Sequence, residues 1–158
     1  PEVTAQQNFF NQKVEPLFEG NVKRVFVVIS DAFRYEVADE LVQLTNTKNR
    51  FKASLDCMLG VLPSYTALGM AALLPHQTLA YKDGNSAEVL VDGQATATLD
   101  QRNERLKAFG GLAIKFEDLM AHGKDKGREL VRDYRLIYIY HDRINCSAPA
   151  DSAADRVL

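Results

Sequence analysis

Cysteine is scarce in this sequence, with Cys57 and Cys146 the only two in 158 residues. Cys57 lies in an apolar run and no charged-then-apolar leader opens the chain, so reduced thiols in a cytoplasmic protein are the expectation. Long hydrophobic runs are missing too. The longest, near "RVFVVIS" and "LGMAALLPH", fall far short of the ~20 residues a membrane span needs, and no membrane partner is expected. Charge of either sign is not in excess. The 19 basic and 21 acidic residues leave a net charge of -2, which gives no bulk drive toward nucleic acid or anionic lipid and leaves partner choice to local sites. There is no internal repeat. A G-x-G-x-x-G after the first apolar strand is also missing, since "SDAFRYE" stands there, and this argues against a Rossmann-like nucleotide binder.

What is present suits one globular domain over residues 1–158, because 46% hydrophobic and 25% charged residues can build a real core. "TAQQNFFNQKVEPLF" carries Phe9, Phe10, Val14, Leu17 and Phe18 at near-helical spacing and predicts an amphipathic first helix that stops at Gly20. "KRVFVVIS" is continuous and β-branched, which predicts a central parallel strand with no wet face. "YEVADELVQLTNTK" then has helical period. "FKASLDCMLGVLP" is a weaker strand, and "TALGMAALL" a short, nearly all-apolar helix. Asp-Gly pairs at Asp83 and Asp92 flank short β-rich runs and predict a small β-hairpin excursion from the main sheet.

Further on, "LDQRNERLKAFGG" reads as a helix ended by Gly110-Gly111, "LAIKF" as a strand, and "EDLMAHGKDKGREL" as an interrupted polar helix. "YRLIYIY", from Tyr134 to Tyr140, is the second uninterrupted apolar run. The alternation predicts an α/β fold with a mostly parallel sheet covered on both faces. The small and polar tail "CSAPADSAADRVL" leads to the expectation that the chain is a fragment of a longer polypeptide.

Ligands of open α/β sheets gather at the carboxyl ends of the strands. Three polar sites fall there: Asp31 after "VFVVIS", Ser64 and Thr66 after "LGVLP", and His141 with Asp142 after "LIYIY". A carboxylate, a hydroxyl at a helix start and a His-Asp pair can begin a metal site with a nucleophile. Each also has a plainer reading that stays open. Asp31 can cap the next helix, Thr66 or Ser64 can cap "ALGMAALL", and His141 can be satisfied by a backbone carbonyl. Arg34 either pairs with Glu36 or binds an anion at the strand-end site. His76 and His122 read as structural or solvated. "HGKDKGRELVRDYR" reads as a solvated face without the aromatics of a single-strand track.

Four stretches in this order, "VFVVISDAFRYEVADEL", "LPSYTALGMAALLPH", "LVDGQATATLDQRNERL" and "RLIYIYHDRI", closely resemble the PglZ domain. That family is an alkaline phosphatase-superfamily component of bacteriophage-exclusion (BREX) defence systems, and the resemblance covers Val22 to Ile144. It implies a three-layer α/β sandwich of alkaline phosphatase type acting as a metal-dependent phosphatase or phosphodiesterase core. It implies a divalent metal, usually zinc, at the carboxyl edge of the sheet. By the same resemblance Asp31 is a metal ligand, Thr66 is both nucleophile and ligand, Ser64 is a supporting residue, and Asp142 is a further ligand with His141 beside it. Implied partners are a phosphorylated substrate, nucleic acid being one candidate, and other phage-defence proteins.

The chain departs from that pattern near its end. Superfamily members commonly carry an Asp-His pair in that order, whereas "YHDRIN" places His141 before Asp142. Where "HxRID" and a Gly-Asp segment are expected, Asn145 and "CSAPADS" stand instead. These departures support an alternative, a catalytically incomplete binding module within a multi-protein phage-defence complex.

Overall fold

The computed structural model describes residues 3–20, 22–82 and 84–142, so the expectations placed on Asp83, Asn145 and Cys146 lie outside the described residues. The first helical stretch is irregular. A two-residue strand β1 (Thr4–Ala5) leads into a 3₁₀ turn (Gln6–Asn8), a π-helical turn (Phe10–Val14) and α1 (Glu15–Glu19). Phe10 and Val14 are the residues of this stretch that reach the core. There follow β2 (Val25–Ser30), α2 (Tyr35–Asn46), a short β3 (Met58–Leu59) and α3 (Thr66–Ala72). Then come β4 (Leu79–Lys82), β5 (Asn85–Val91) and β6 (Gln94–Ala95). The chain continues through α4 (Leu99–Lys107), β7 (Gly111–Lys115), α5 (Phe116–Ala121), α6 (Gly123–Val131) and β8 (Leu136–His141).

The chain is mixed α/β. β7 and β8 pair in parallel from Gly111↔Leu136 to Lys115↔Tyr140. The sheet order is β2-β8-β7. The Val25 N–H donates to the Arg135 carbonyl at 2.8 Å and the Asp31 N–H to the His141 carbonyl at 3.1 Å. Partner numbers therefore rise together along both strands, which makes β2 parallel to β8. β8 is thus the inner strand of the three. β2, expected to be central and dry on both faces, has one described neighbour: Val25 and Val27 are buried while Phe26 and Val28 are exposed. A second parallel pair joins β1 to β3. The expected hairpin excursion is an antiparallel sheet of β4, β5 and β6. The Asp92-Gly93 turn between β5 and β6 has positive φ at both residues, 47° and 78°, the geometry that favours Asp-Gly.

The chain divides into two compact units. The first holds the residues up to Val28 together with Asp56–Tyr140, the second Ile29–Leu55 with His141 and Asp142. In the first unit Ile114, Val131, Ile137 and Ile139 form a core cluster, with Phe116, Leu119, Leu130 and Tyr134 packed against it. Burying each such aliphatic side chain contributes about 1.5–3 kcal/mol. Helix α4 is seated on β7 by one amide: the Asn103 Nδ2 donates to the Ala113 carbonyl and the Asn103 Oδ1 accepts the Ala113 N–H. Thr98 and Gln101 form a capping box that starts α4. Asp92 pins the β5–β6 turn, since its Oδ1 accepts the N–H groups of Gln77 and Thr78 while Arg105 pairs with its other oxygen and donates to the Pro75 carbonyl.

Two tyrosines of β8 are buried. The Tyr138 hydroxyl donates to the Leu73 carbonyl at 2.7 Å, and the Arg102 guanidinium lies 4.4 Å over the Tyr140 ring. Burial pushes Tyr140 up to about 12, against the opposing charge of Arg102. Burial, aided by Tyr140, drives Tyr138 upward as well.

Two outcomes follow from this packing. A Cβ on Gly111 would stand 2.9 Å from the Leu106 Cβ and 3.0 Å from the Leu106 carbonyl oxygen, and backbone cannot swing aside. Gly111→Ala is expected to lower stability by about 1–3 kcal/mol in denaturant melts. The second concerns pH. Unfolded tyrosine ionises near ~10, so between there and about 12 the folded chain holds protons that the unfolded chain releases. Stability is fully present below about pH 10 and falls as pH rises, by up to ~1.4 kcal/mol per unit per group. Tyr140→Phe should lose less stability between pH 9 and 11 than the unsubstituted protein does.

Candidate functional site

The end of β2 and the end of β8 meet through main chain. With the Asp31 N–H on the His141 carbonyl, Ser30, Asp31, His141 and Asp142 come to the same sheet edge. The Ser30 Oγ and the His141 Nδ1 are 2.9 Å apart, so the serine orients the imidazole. Sequence reasoning did not single out Ser30. Its signal is that it precedes Asp31 by one and that its number rises with His141 across a parallel pair.

The Asp31 Oδ1 accepts the N–H of Ala32. Ala32 has φ 58°, a left-handed conformation that costs a residue bearing a Cβ about 1 kcal/mol or more. The chain thus turns sharply just after the carboxylate. Asp31 does not cap α2, whose N-cap is Arg34 without a side-chain cap bond. Arg34 is exposed and forms no ion pair with Glu36 among the described residues.

Ser64 and Thr66 belong to the first unit. The turn that bears them is tight: the Tyr65 N–H donates to the Pro63 carbonyl and the Gly69 N–H to the Tyr65 carbonyl. The N-cap of α3 is Tyr65, with no side-chain cap bond. Both hydroxyl residues are exposed. The capping explanation therefore fails for both, and Thr66, the first residue of α3, is exposed. The Tyr65 ring, half-buried, is bonded to Tyr81, and burial together with that bond raises its ionisation. A cleft of about 370 Å³ opens beside the turn, lined by Gln6, Leu59, Leu62, Leu68 and Tyr81 among others.

The other histidines bond to backbone: the His76 Nδ1 lies 2.7 Å from the Leu74 carbonyl and the His122 Nδ1 2.6 Å from that of Asp118. Among the described residues no group of three or more His, Cys, Asp or Glu side chains is placed to hold a metal ion. Asp31, His141 and Asp142 share an edge without forming such a group.

The family described as the BREX system PglZ alkaline phosphatase-like domain matches residues 9–157. The chain belongs to the PglZ family. Among curated relatives, this PglZ domain is 49% identical over 159 residues to the alkaline phosphatase-like protein BrxZ of Escherichia coli O9:H4 (strain HS), covering all of this chain and 18% of that protein. It is 38% identical over 152 residues to the alkaline phosphatase-like protein PglZ of Bacillus cereus (strain H3081.97), covering 95% of this chain and 17% of that one. The chain thus spans under a fifth of either relative. No solved structure matches it. No described helix of the PglZ domain is long and apolar enough to cross a membrane.

Because neither hydroxyl caps α3, Thr66→Ala should change folding stability by less than about 0.5 kcal/mol, where loss of a true N-cap costs ~1 kcal/mol. Thermal melts of the two proteins check this.

Proposed function

We propose that this PglZ domain is the core of a divalent-metal phosphoric ester hydrolase, with Thr66 as nucleophile and Asp31 and Asp142 in the metal's ligand set. In this reading Ser64 supports the nucleophile, Ser30 and His141 brace the strand-end site, and Arg34 meets a phosphoryl oxygen. The observation that carries it is the main-chain bond that brings Asp31 and the His141-Asp142 pair to one sheet edge. The donor chemistry fits: carboxylate oxygens and an imidazole suit zinc and other divalent cations. Such an ion, when bound, lowers the pKa of a coordinated hydroxyl and offsets phosphoryl charge. Thr66 is exposed and α3 has no side-chain cap bond, which supports the availability of its hydroxyl.

A longer polypeptide would supply the remaining ligands, in keeping with the length of the BrxZ and PglZ relatives. Partners in this reading are a phosphorylated substrate and other proteins of a BREX system. A second reading, a catalytically incomplete binding module, has one observation in its favour: the described residues hold no three-ligand cluster.

Hydrolysis of bis-nitrophenyl phosphate, with added zinc or manganese, separates the two. The hydrolase reading expects turnover that chelation removes, that Asp31→Asn shifts to at least about tenfold higher metal concentration, and that Thr66→Ala lowers at least about 10³-fold. Equal rates in the unsubstituted protein and Thr66→Ala would remove Thr66 from the chemistry. No turnover at any metal concentration, in a protein that still binds a BREX partner, would favour the binding module.

A further inference from the structure

Thr66 can act only if the turn that carries it is held still, and one side chain grips that turn from both sides. Residues 60–65 link β3 to α3; Leu62, Pro63 and Ser64 are exposed and take little hold from packing, while Tyr65 is half-buried and bonded to Tyr81. The Gln6 side chain reaches over from the N-terminal segment. Its Oε1 accepts the Val61 N–H at 3.2 Å, on the β3 side, and its Nε2 donates to the Gly69 carbonyl at 3.1 Å, in the body of α3. The Gly69 carbonyl is among the last four of a seven-residue helix, which lack an intrahelical donor.

The approach is close. A Cβ on Gly69 would lie 3.4 Å from the Gln6 Nε2, and one on Gly60 3.7 Å from its Oε1. Gln6 is itself placed by register, because β1 pairs with β3 through Ala5↔Leu59 and the amide follows directly. Asn103 uses the same donor-plus-acceptor amide to seat α4 on β7. At Gln6 the two bonded groups flank the hydroxyl-bearing turn.

We propose that Gln6 is a positioning residue: its amide ties the end of β3 to α3 and so fixes the turn that presents Thr66. This rests on the reading of Thr66 as nucleophile only for its consequence in turnover, not for the grip itself. The chemistry demands an amide. A glutamate of the same shape keeps the acceptor for Val61 but sets a carboxylate oxygen against the Gly69 carbonyl, and it donates again only when protonated.

Hydrogen exchange and kinetics on the intact protein, with Gln6→Ala and Gln6→Glu, test this. Amides of residues 61–69 should exchange about tenfold faster in Gln6→Ala, while those of β7 and β8 stay protected and report an intact fold. Gln6→Glu, which keeps the acceptor for Val61, should match it near pH 7 over residues 66–69 and regain protection there below about pH 4, where the carboxyl carries its proton. Where the unsubstituted protein turns over and Thr66→Ala does not, Gln6→Ala should lower kcat about tenfold with KM unchanged. Unchanged exchange over 61–69 in both variants overturns the proposal, as does faster exchange with unaltered kcat. If the unsubstituted protein shows no turnover, the nucleophile reading falls, and exchange alone decides whether Gln6 holds the turn.

Discussion

Strand β8 has to satisfy its backbone on both edges while burying its side chains, and much of the structure answers that requirement. Residues Leu136 to Tyr140 are all buried, so each N–H and C=O left unpaired would carry a full desolvation cost of about 1–3 kcal/mol. β2 on one edge and β7 on the other supply the partners. The His141 carbonyl accepts the Asp31 N–H, and the His141 Nδ1 lies 2.9 Å from the Ser30 Oγ. Tyr138 and Tyr140 stay in that core as neutral phenols, one bonded to the Leu73 carbonyl and the other beneath Arg102.

Asp31, His141 and the turn bearing Thr66 are held by main chain and by side-chain hydrogen bonds more than by ion pairs. Asp31 is turned by a left-handed Ala32, His141 is oriented by Ser30, and the Thr66 turn is gripped by Gln6. Among the described residues most ion pairs, such as Lys13–Asp56 and Lys107–Glu104, join exposed side chains and contribute little. Arg105–Asp92 is the exception, being half-buried and tied to the backbone of Gln77 and Thr78. It stiffens the antiparallel excursion and takes no part in the strand-end cluster.

Much of this was legible in the sequence, for identifiable reasons. The runs ending at Ser30 and Tyr140 are unbroken and β-branched, and unbroken runs of that kind make parallel strands. Asp92-Gly93 announces its own turn through the φ it demands. Strand logic sends Asp31, Ser64 with Thr66, and His141 with Asp142 to strand ends; the Asp31–His141 main-chain bond joins the first and last, whereas β3, ahead of Ser64 and Thr66, pairs with β1 in a separate sheet. Other features were not legible because they depend on contacts distant in sequence. Gln6 meets Val61 and Gly69 only after β1 has paired with β3, two residues against two. The first helical stretch has helical spacing, yet spacing does not separate α from 3₁₀ and π turns. β2 reads as dry on both faces because of Phe26 and Val28, both exposed. The capping reading left open for Ser64 or Thr66 rests on a statistical preference, and Tyr65 stands at that position instead.

In the proposed hydrolase, the ends of β2 and β8 form part of a metal site. Anomalous diffraction at the zinc edge, from crystals of the intact protein grown with zinc, tests it most directly. A peak about 2.0–2.2 Å from a carboxylate oxygen of Asp31 is the predicted result. Zinc bound elsewhere, with Asp31 and Asp142 both free of density at full occupancy of the other site, would contradict it.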